Sequence, residues 1–355
     1  MRYLHVPADV ARRFIGLGLC LALCGFAAQP SASQGETRSR TSNTEARLLD
    51  VRASIDIVSP LGMYRAICSI GPGMSDRSRR EVEVVFGNVC DHARGDVAAS
   101  VWLPQALGLS PGVERAISSQ AELHRGQPPF NAPILKWLRA HDVPLLDPHG
   151  PVEFASVSAV HYERDWRLPF RSESTKRAFF GRRHVTTTAF IRGRNGWADD
   201  SAGCRRVVIL TTEHGFVVLA DAGKDPEIAA RCIVRPLAPP SRTPVDASIP
   251  KLSLTSTTDL RGRLERLGVR MIFDETADPF PRLLPNHGLS EILQGVDLRL
   301  DEKGISVRAS TIADVALSPG PKPKFRMIFD HPFLLRVVDA AGDTVALGYI
   351  GDLGA

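Results

Sequence analysis

The chain has 355 residues, of which 43% are hydrophobic and 23% charged, with a formal net charge of +5 at neutral pH. This composition provides enough apolar side chains for one large folded domain or two of ordinary size. The mild positive charge gives no support for nucleic-acid binding. The two arginine clusters, Arg77–Arg80 and Arg182–Arg183, are interpreted as solvated surface rather than as a polyanion site.

Residues 1–33 are predicted to be a secretory signal peptide. Several arginines precede an apolar run, Phe14–Ala28, that is too short to span a membrane with confidence. Small residues offer cleavage sites after Ala27 or after Ser33. The protein is therefore expected to be secreted or periplasmic.

Lipoprotein anchoring through Cys24 is the less favoured reading of this leader, because Leu23 stands where a small residue is usual. The polar, Ser/Thr-rich residues 34–46 are expected to form a disordered linker, and residues 47–355 one folded domain. No other segment has the length of a membrane helix, so stable membrane insertion is not expected.

Helix and strand patterns are mixed along the domain, without an internal repeat. Helical patterns cover Pro60–Ile70, Ser75–Phe86, Ile134–Ala140 and Thr258–Leu267. Strand patterns cover Val157–Tyr162, Val185–Ile191, Arg206–Thr212, Phe216–Ala220, Glu291–Leu300, Phe333–Val338 and Val345–Ile350.

Four cysteines remain after the predicted signal peptide is removed: Cys68, Cys90, Cys204 and Cys232. In an oxidising compartment an even number favours disulfides, and four cysteines allow three connectivities. Pairing between chain neighbours, Cys68 with Cys90 and Cys204 with Cys232, is the prediction, and four separate buried thiols are the alternative. Cys and His show no ligand spacing, so no metal and no cofactor are expected.

Gly108–Gly112 fits the Gly-x-Ser-x-Gly pattern of a hydrolase nucleophile, with Ser110 at its centre. In that motif the residue after the serine donates its backbone N–H to the oxyanion hole. Pro111 has no N–H, so the donor is missing. The sequence therefore predicts no catalytic residue and no enzymatic activity, and it suggests a turn before a short helix instead.

An alternating tract near the C-terminus is the most informative part of the chain. From Ile305 to Leu317 the odd positions are apolar or small and the even positions are mostly polar, which is typical of a strand with one buried face. The tract then enters Ser318–Lys324, rich in Pro, Gly and Lys, which reads as an exposed loop. This combination indicates a loop that can become a strand.

Motifs on both sides of this tract, in the same order as in the family, make the domain resemble the serpins. They are Ile57–Tyr64, Val157–Tyr162 with Trp166 and Phe170, Pro250–Ser253 with Leu267–Val269, Phe273 with Ala277–Asp278, and His331–Val338 with Val345–Ile350. The resemblance covers roughly residues 47–355 and suggests a divergent, secreted member of bacterial type. It implies an α+β fold with three β-sheets, about seven to nine helices and an exposed reactive-centre loop.

The resemblance also implies a function, inhibition of a protease by suicide-substrate trapping. In serpins a target protease cleaves the exposed loop, and the freed segment inserts into a sheet as a new strand while the protease is still covalently attached. The expected partner is a chymotrypsin- or elastase-like serine protease, with cysteine proteases as a second class, and the inhibitor is expected to be a monomer. The uncleaved fold is then metastable and protected by a kinetic barrier.

Particular residues follow from the family motif. Glu302 at the base of the loop is expected to pair with Lys251 under Trp166. The hinge that would insert is expected to contain Gly304, Ile305, Val307, Ala309 and Thr311.

The reactive centre is predicted at Leu317–Ser318. The usual spacing from Glu302 gives Ser318–Pro319, which proline protects from most serine proteases, and the bond one residue earlier is the better substrate.

The hinge departs from the pattern of inhibitory serpins. Ile305, Val307 and Arg308 are larger than the small residues usual at these positions, and larger side chains slow insertion. A serpin-fold binding or carrier protein without inhibitory activity is therefore the alternative function.

The sheet-opening region departs from the family as well. Gly62, Ser158 and Gln294 replace the usual Ser, Asn and His, so the network that holds the sheet shut is expected to differ.

Overall fold

The fold was derived from a computed structural model, which describes residues 43–92, 97–146, 150–200, 205–212, 215–237, 243–307 and 325–353. Seven α-helices lie in these ranges: α1 (Pro60–Ile70), α2 (Asp76–Phe86), α3 (Val89–His92), α4 (Pro111–Ser118), α5 (Asn131–Ala140), α6 (Pro226–Ile233) and α7 (Arg261–Leu267). The predicted signal peptide lies outside the described residues.

Eighteen strands lie in the same ranges. The first nine are β1 (Ile55–Val58), β2 (Val97–Pro104), β3 (Glu122–Gly126), β4 (Ala155–Val160), β5 (Tyr162–Asp165), β6 (Arg171–Ser172), β7 (Arg177–Phe180), β8 (Val185–Thr188) and β9 (Phe190–Asp199). The others are β10 (Arg206–Leu210), β11 (Phe216–Asp221), β12 (Thr243–Pro250), β13 (Leu252–Asp259), β14 (Leu293–Leu300), β15 (Gly304–Val307), β16 (Phe325–Ile328), β17 (Phe333–Val338) and β18 (Thr344–Ile350).

The largest sheet has nine strands. Its order is β1-β18-β17-β11-β10-β9-β12-β16, with β6 paired to β9. Every residue of β17 and β18 is buried. Strands that are buried at every position and mostly apolar are typical of sheets covered on both faces, so this sheet contributes much of the core.

Two smaller sheets lie on either side of a gap that is lined by β4 of one and β14 of the other. One has the order β13-β14-β15-β5 and the other β3-β2-β4. Only His161 separates β4 from β5 along the chain. Among the described residues there are thus four sheets, counting the β7–β8 hairpin, where three were predicted. The gap explains part of this difference, because β4 has no strand partner on the side that faces β14.

Helix α1 runs through the centre of the molecule behind this gap. Ser59 caps it, accepting a hydrogen bond from the Gly62 backbone N–H at 3.2 Å, and Pro60 occupies the first turn, where its missing N–H costs nothing. Nine of its eleven residues are buried. A helix buried on nearly all sides can support both small sheets at once.

Residues 43–46 correct the predicted domain boundary. They were assigned to a disordered linker, but they form a helical turn in which Glu45 and Ala46 are buried. The Glu45 carboxylate accepts hydrogen bonds from Tyr64 and Thr344, and Arg336 lies 4.0 Å from it. The polar composition of this segment suggested disorder. The partners that bury Glu45 are distant in sequence, so composition alone could not reveal them.

Cys68 and Cys90 form a disulfide with an S–S distance of 1.99 Å and a Cα–Cα distance of 5.3 Å. It joins α1 to α3. Cys232 is also disulfide-bonded, and Cys204, its predicted partner, lies outside the described residues.

Ser110 has a structural role in α4. It is the N-cap residue, and its Oγ accepts a hydrogen bond from the Val113 backbone N–H at 3.4 Å. The short helix after Pro111 is the one that the turn signal suggested.

Candidate functional site: the loop base and the slot

The loop base, Asp301–Gly304, reverses the chain between β14 and β15. The Asp301 side chain accepts hydrogen bonds from the backbone N–H groups of Lys303 at 2.8 Å and Gly304 at 3.3 Å. Asp residues favour such turns because the carboxylate takes the place of a backbone acceptor. The prediction had not included Asp301, although an Asp three residues before a Gly is a recognisable turn signal.

Glu302 and Lys251 form the expected ion pair, with 2.5 Å between the Lys251 ammonium and a Glu302 carboxylate oxygen. The Ser172 hydroxyl donates a further hydrogen bond to Glu302. Partial burial favours the neutral acid, but the hydrogen bonds from Lys251 and Ser172 outweigh it and lower the pKa of Glu302 to about 2. Glu302 is therefore ionised at any physiological pH.

Trp166 holds the backbone of the loop base. Its indole N–H donates to the Asp301 carbonyl at 2.8 Å, and its backbone N–H donates to the Lys303 carbonyl at 2.8 Å. The ring is buried and lies edge-on to Phe170, whose backbone N–H donates to the Glu302 carbonyl at 3.0 Å. Together these contacts fix the direction in which the chain leaves β14.

Strand β15 is the unexpected element of the site. The tract after Gly304 was predicted to be an exposed loop, but Gly304–Val307 pairs with β14 on one side and with β5 on the other, both antiparallel. Ile305 and Val307 are buried, with exposed fractions of 1% and 4%, and Gly304 and Ser306 are partly exposed. The expected inward positions are thus inside the sheet before any cleavage of the chain.

Gly304 is required by a close approach rather than by backbone conformation. A Cβ atom at this position would overlap the Arg164 carbonyl of the adjacent strand. The missing side chain allows the first residue of the loop to come within hydrogen-bonding distance of β5.

Below Val307 the gap between β4 and β14 contains a cavity of about 580 Å³, named here the slot. Its walls include Val157–Val160 of β4 and Leu293–Val296 of β14, its floor includes Met63 and Ile67 of α1, and its roof includes Ile134 and Leu138 of α5. Val307 lines the slot as well. The slot therefore continues the line of β15 between the two walls.

The walls of the slot are each tied to α1. The side-chain amide of Gln294 on β14 accepts from the Ser59 N–H at 2.7 Å and donates to the Ser59 carbonyl at 2.8 Å. On β4, Ser158 donates to the Gly62 carbonyl at 2.7 Å and Ser156 to the Ala66 carbonyl at 2.6 Å. Each wall thus has its own anchor on the helix.

Gly62 contributes to this arrangement by its size. A Cβ there would come within 2.9 Å of a Val160 methyl and 3.4 Å of the Ser158 hydroxyl. Gly62 and Ser158 thus bring β4 close to α1, while Gln294 ties β14 to Ser59 at the start of the same helix.

The remaining predicted loop residues, Ala309, Thr311, Leu317 and Ser318, lie outside the described residues. Within the described part of the chain, no group of three His, Cys, Asp or Glu side chains is arranged to hold a metal ion. No helix in that part is long and apolar enough to cross a membrane.

Comparisons with known proteins agree with this geometry. The family model for serpins, described as serine protease inhibitors, matches residues 226–350. The corticosteroid-binding globulin of Saimiri sciureus is 28% identical over 54% of this chain and 49% of its own length. The alpha-1-antiproteinase of Rattus norvegicus is 27% identical over 53% of this chain and 48% of its own. The chain spans about half the length of the curated relatives that it matches.

Solved structures match over most of both chains. The native state of tengpin, a thermophilic serpin, superimposes with a TM-score of 0.73 at 16% identity and covers 90% of this chain and 94% of its own. Thyroxine-binding globulin in complex with thyroxine gives a TM-score of 0.68 at 15% identity over 89% of this chain and 99% of its own.

The class defined by this fold and loop base is an α+β domain in which a loop segment enters a β-sheet beside a slot. The fold is that of the serpins, and residues 226–350 match the serpin family model. The superfamily matches include protease inhibitors as well as hormone-binding globulins.

Proposed function

We propose that the chain is a secreted, monomeric protease inhibitor that traps a serine protease by inserting its cleaved loop into the slot. The observation that carries the proposal is β15, the first part of the loop, which is paired on both edges and aligned with the slot. Residues from 308 onward continue the same alternation of small or apolar and polar positions. They have the pattern required to lengthen β15 into the slot.

The size of Ile305 and Val307 was the main objection to an inhibitory loop. Both side chains are already buried between β14 and β5, so entry of these two residues is not a step that the cleaved loop has to make. The next inward positions, Ala309, Thr311 and Ala313, are small. Arg308 is at an outward position in this alternation, where a long charged side chain can reach solvent.

The slot supplies a driving force for insertion. The slot is lined by apolar side chains together with polar ones such as Gln294 and Asp297. Burying the inward apolar side chains of an inserted strand against its apolar part releases on the order of 10 kcal/mol, at about 25 cal/mol per Å² of apolar surface. New hydrogen bonds along both walls add roughly 1 kcal/mol each. These terms are large compared with the stability of a typical domain, and this supports a metastable uncleaved state.

The proposal is tested by incubating the protein with elastase and with chymotrypsin, followed by denaturing gel electrophoresis. We expect a covalent band of the summed mass with at least one of them. Mass spectrometry should find a released C-terminal peptide that begins at Ser318, because Leu317 suits both enzymes. A cleaved chain without any covalent band would contradict inhibition.

A matched pair of variants tests the alternation itself. Thr311→Arg places a charge at an inward position and should abolish the covalent band while leaving cleavage intact, because a buried unpaired charge blocks insertion. Ser310→Arg places the same side chain at the neighbouring outward position and should retain the band. Loss of the band in both variants would show that the alternation does not govern trapping.

A binding or carrier protein is the second candidate function. It is favoured by the similarity to corticosteroid-binding globulin and by the structural match to thyroxine-binding globulin. Cleavage without a covalent band, together with saturable binding of an apolar hormone-like ligand, would support it. No catalytic role is proposed for either candidate.

A further inference from the structure

A polar cluster on the far side of α5 has no part in the proposed trapping step. Its centre is Glu122 on β3, the edge strand of its sheet. One carboxylate oxygen accepts a hydrogen bond from the Trp137 indole N–H at 3.0 Å and lies 3.3 Å from His124 Nε2. The other oxygen lies 3.9 Å from His141 Nε2. Trp137 belongs to α5, and His141 is its C-cap residue.

The hydrogen bond of His141 Nδ1 determines whether Nε2 of the same ring can donate to Glu122. His141 Nδ1 lies 2.9 Å from the Trp137 carbonyl oxygen, which can only accept, so Nδ1 carries a hydrogen. In the neutral ring Nε2 is then an unprotonated acceptor, and it faces another acceptor, the Glu122 carboxylate. Only the imidazolium form has an N–H to direct at Glu122.

For His124, the described contacts do not fix which ring nitrogen carries the hydrogen. Its ring is stacked on Trp102, with 3.9 Å between ring centroids and an interplanar angle of 10°. Its Nε2 can donate to Glu122 from either the neutral or the charged ring. His141 is therefore the residue whose contact with Glu122 depends on protonation.

Charged groups of both signs surround the cluster. Strand β3 contributes Glu122, His124 and Arg125, and Arg125 approaches Glu114 of α4 at 3.9 Å. Helix α5 contributes Lys136 and Arg139, Asp142 follows His141 in sequence, and β2 contributes no charged residue. A positive charge at the C-terminal end of a helix also interacts favourably with the helix dipole.

The cluster can affect the slot because α5 lies between the two. Ile134 and Leu138 of this helix form part of the roof of the slot. On its outer side, α5 is attached to the sheet through Trp137 and His141, which both meet Glu122. A stronger contact at Glu122 therefore holds the roof more firmly.

We propose that Glu122, His124, Trp137 and His141 form a pH-sensitive latch that fastens α5 over the slot more tightly in acid than at neutral or alkaline pH. The Trp137–Glu122 hydrogen bond needs no charge on either histidine. The His141–Glu122 contact is added when the imidazole gains its proton. The latch does not depend on protease trapping, although slower loop insertion in acid would follow where both proposals hold.

The test is hydrogen exchange of the α5 amides (Asn131–Ala140) in the intact, uncleaved protein at pH 5.5 and pH 8.0. The rates are corrected for intrinsic pH dependence, and EDTA is present so that metal binding by the histidines does not contribute. We expect α5 to open about two- to fivefold less often at pH 5.5, as for a partly exposed ion pair. Equal corrected rates at the two pH values would overturn the proposal.

Three variants make the test specific. His141→Gln should remove the pH dependence, and Glu122→Gln should remove it by a second route if the first variant folds poorly. His184→Gln changes a histidine in the distant β7–β8 hairpin and should leave the pH dependence unchanged. In addition, ¹⁵N NMR should show the Nδ1–H tautomer of His141 at pH 8.0, and the Nε2–H tautomer would contradict the latch.

No protease is used in these experiments, so their failure leaves the proposed inhibition untouched. Failure of the covalent-band experiment likewise leaves the latch untouched.

Discussion

Glu302 shows how a single side chain can set the direction of a loop. It is bound by Lys251 and Ser172, while its own carbonyl accepts from Phe170. Because these bonds favour the ionised carboxylate, its pKa falls to about 2 in the folded protein. The contribution to stability is then complete above the ordinary glutamate value and is lost as the pH falls from about 4.5 towards 2.

Lys251→Met should therefore destabilise the protein at neutral pH and much less at pH 2.5. Lys251 and Glu302 have exposed fractions of 35% and 28%. Solvent screening consequently limits the expected loss of unfolding free energy to about 0.5–1 kcal/mol. Urea unfolding at both pH values measures it.

Lys303→Met is the matched control for that substitution. This lysine is adjacent to Glu302 in sequence but is exposed, and its described contacts are made by its backbone. It should leave the unfolding free energy unchanged at both pH values. An equal effect of the two substitutions would mean that the ion pair contributes nothing specific.

At the level of secondary-structure elements, the helical turn at 43–46 is attached to the C-terminal strands. Glu45 accepts hydrogen bonds from Thr344 of β18 at 2.8 Å and from Tyr64 of α1 at 3.3 Å. Burial raises the pKa of Glu45, and the charge of Arg336 on β17 opposes that rise. Glu45 thus connects three elements far apart in sequence.

Glu45→Ala is expected to lower the unfolding free energy by about 3 kcal/mol, because Arg336 would remain buried without its compensating charge. Glu45→Gln keeps the shape and one acceptor, so it should lower the free energy by less. Guanidinium denaturation of both variants measures the difference. A loss below about 0.5 kcal/mol for Glu45→Ala would be typical of an exposed surface site and would contradict this account.

Some elements could be predicted from sequence and others could not, for identifiable reasons. Phe333–Val338 has the predicted bounds because a strand of mostly apolar residues, interrupted only by Arg336, ends at a clear turn. Helix α7 begins at Arg261, three residues after its predicted start, because Thr258 and Asp259 pair with β14. Local helix signals were overridden there by a neighbouring strand.

Other elements were missed altogether. Pro244 and Pro250 argued against a strand at Thr243–Pro250, and Glu122–Gly126 has no clear alternation. Helix α6 was also missed, although its start carries a recognisable capping signal, Asp225 before Pro226.

The ion pair of the candidate site was predicted, but the pairing of β15 within the sheet of the uncleaved chain was not. Glu302, Lys251 and Trp166 were identified from a family motif, and the structure brings them together. The alternation after Gly304 indicated a strand, but a period of two does not reveal when that strand forms. His124 and His141 are separated by sixteen residues and follow no ligand spacing, so only the packing of α5 on β3 brings them to one carboxylate.

For the molecule as a whole, the slot predicts a large change in stability after cleavage. If insertion releases on the order of 10 kcal/mol, nicking the loop should raise the melting temperature by at least about 20 °C. Thermal denaturation of the intact and the nicked protein measures this rise. The nicked Thr311→Arg variant is the control and should melt near the temperature of the intact protein.

A nicked protein with an unchanged melting temperature would contradict insertion, even if a covalent complex were seen. The reverse result, a large rise without a covalent complex, would mean that the slot accepts the loop too slowly to trap a protease. The melting experiment therefore tests whether the sheet accepts the loop, and the covalent-band experiment tests whether the protein traps a protease.

The pairing of β1 with β18 has a consequence for biosynthesis. Ile55–Val58 is paired residue by residue with Leu347–Ile350, so the partner of this strand lies far downstream in the chain. During translation this strand waits for nearly three hundred further residues before its ladder can close. A ribosome stalled shortly before residue 344 would therefore hold a chain that lacks β18 and cannot complete its largest sheet.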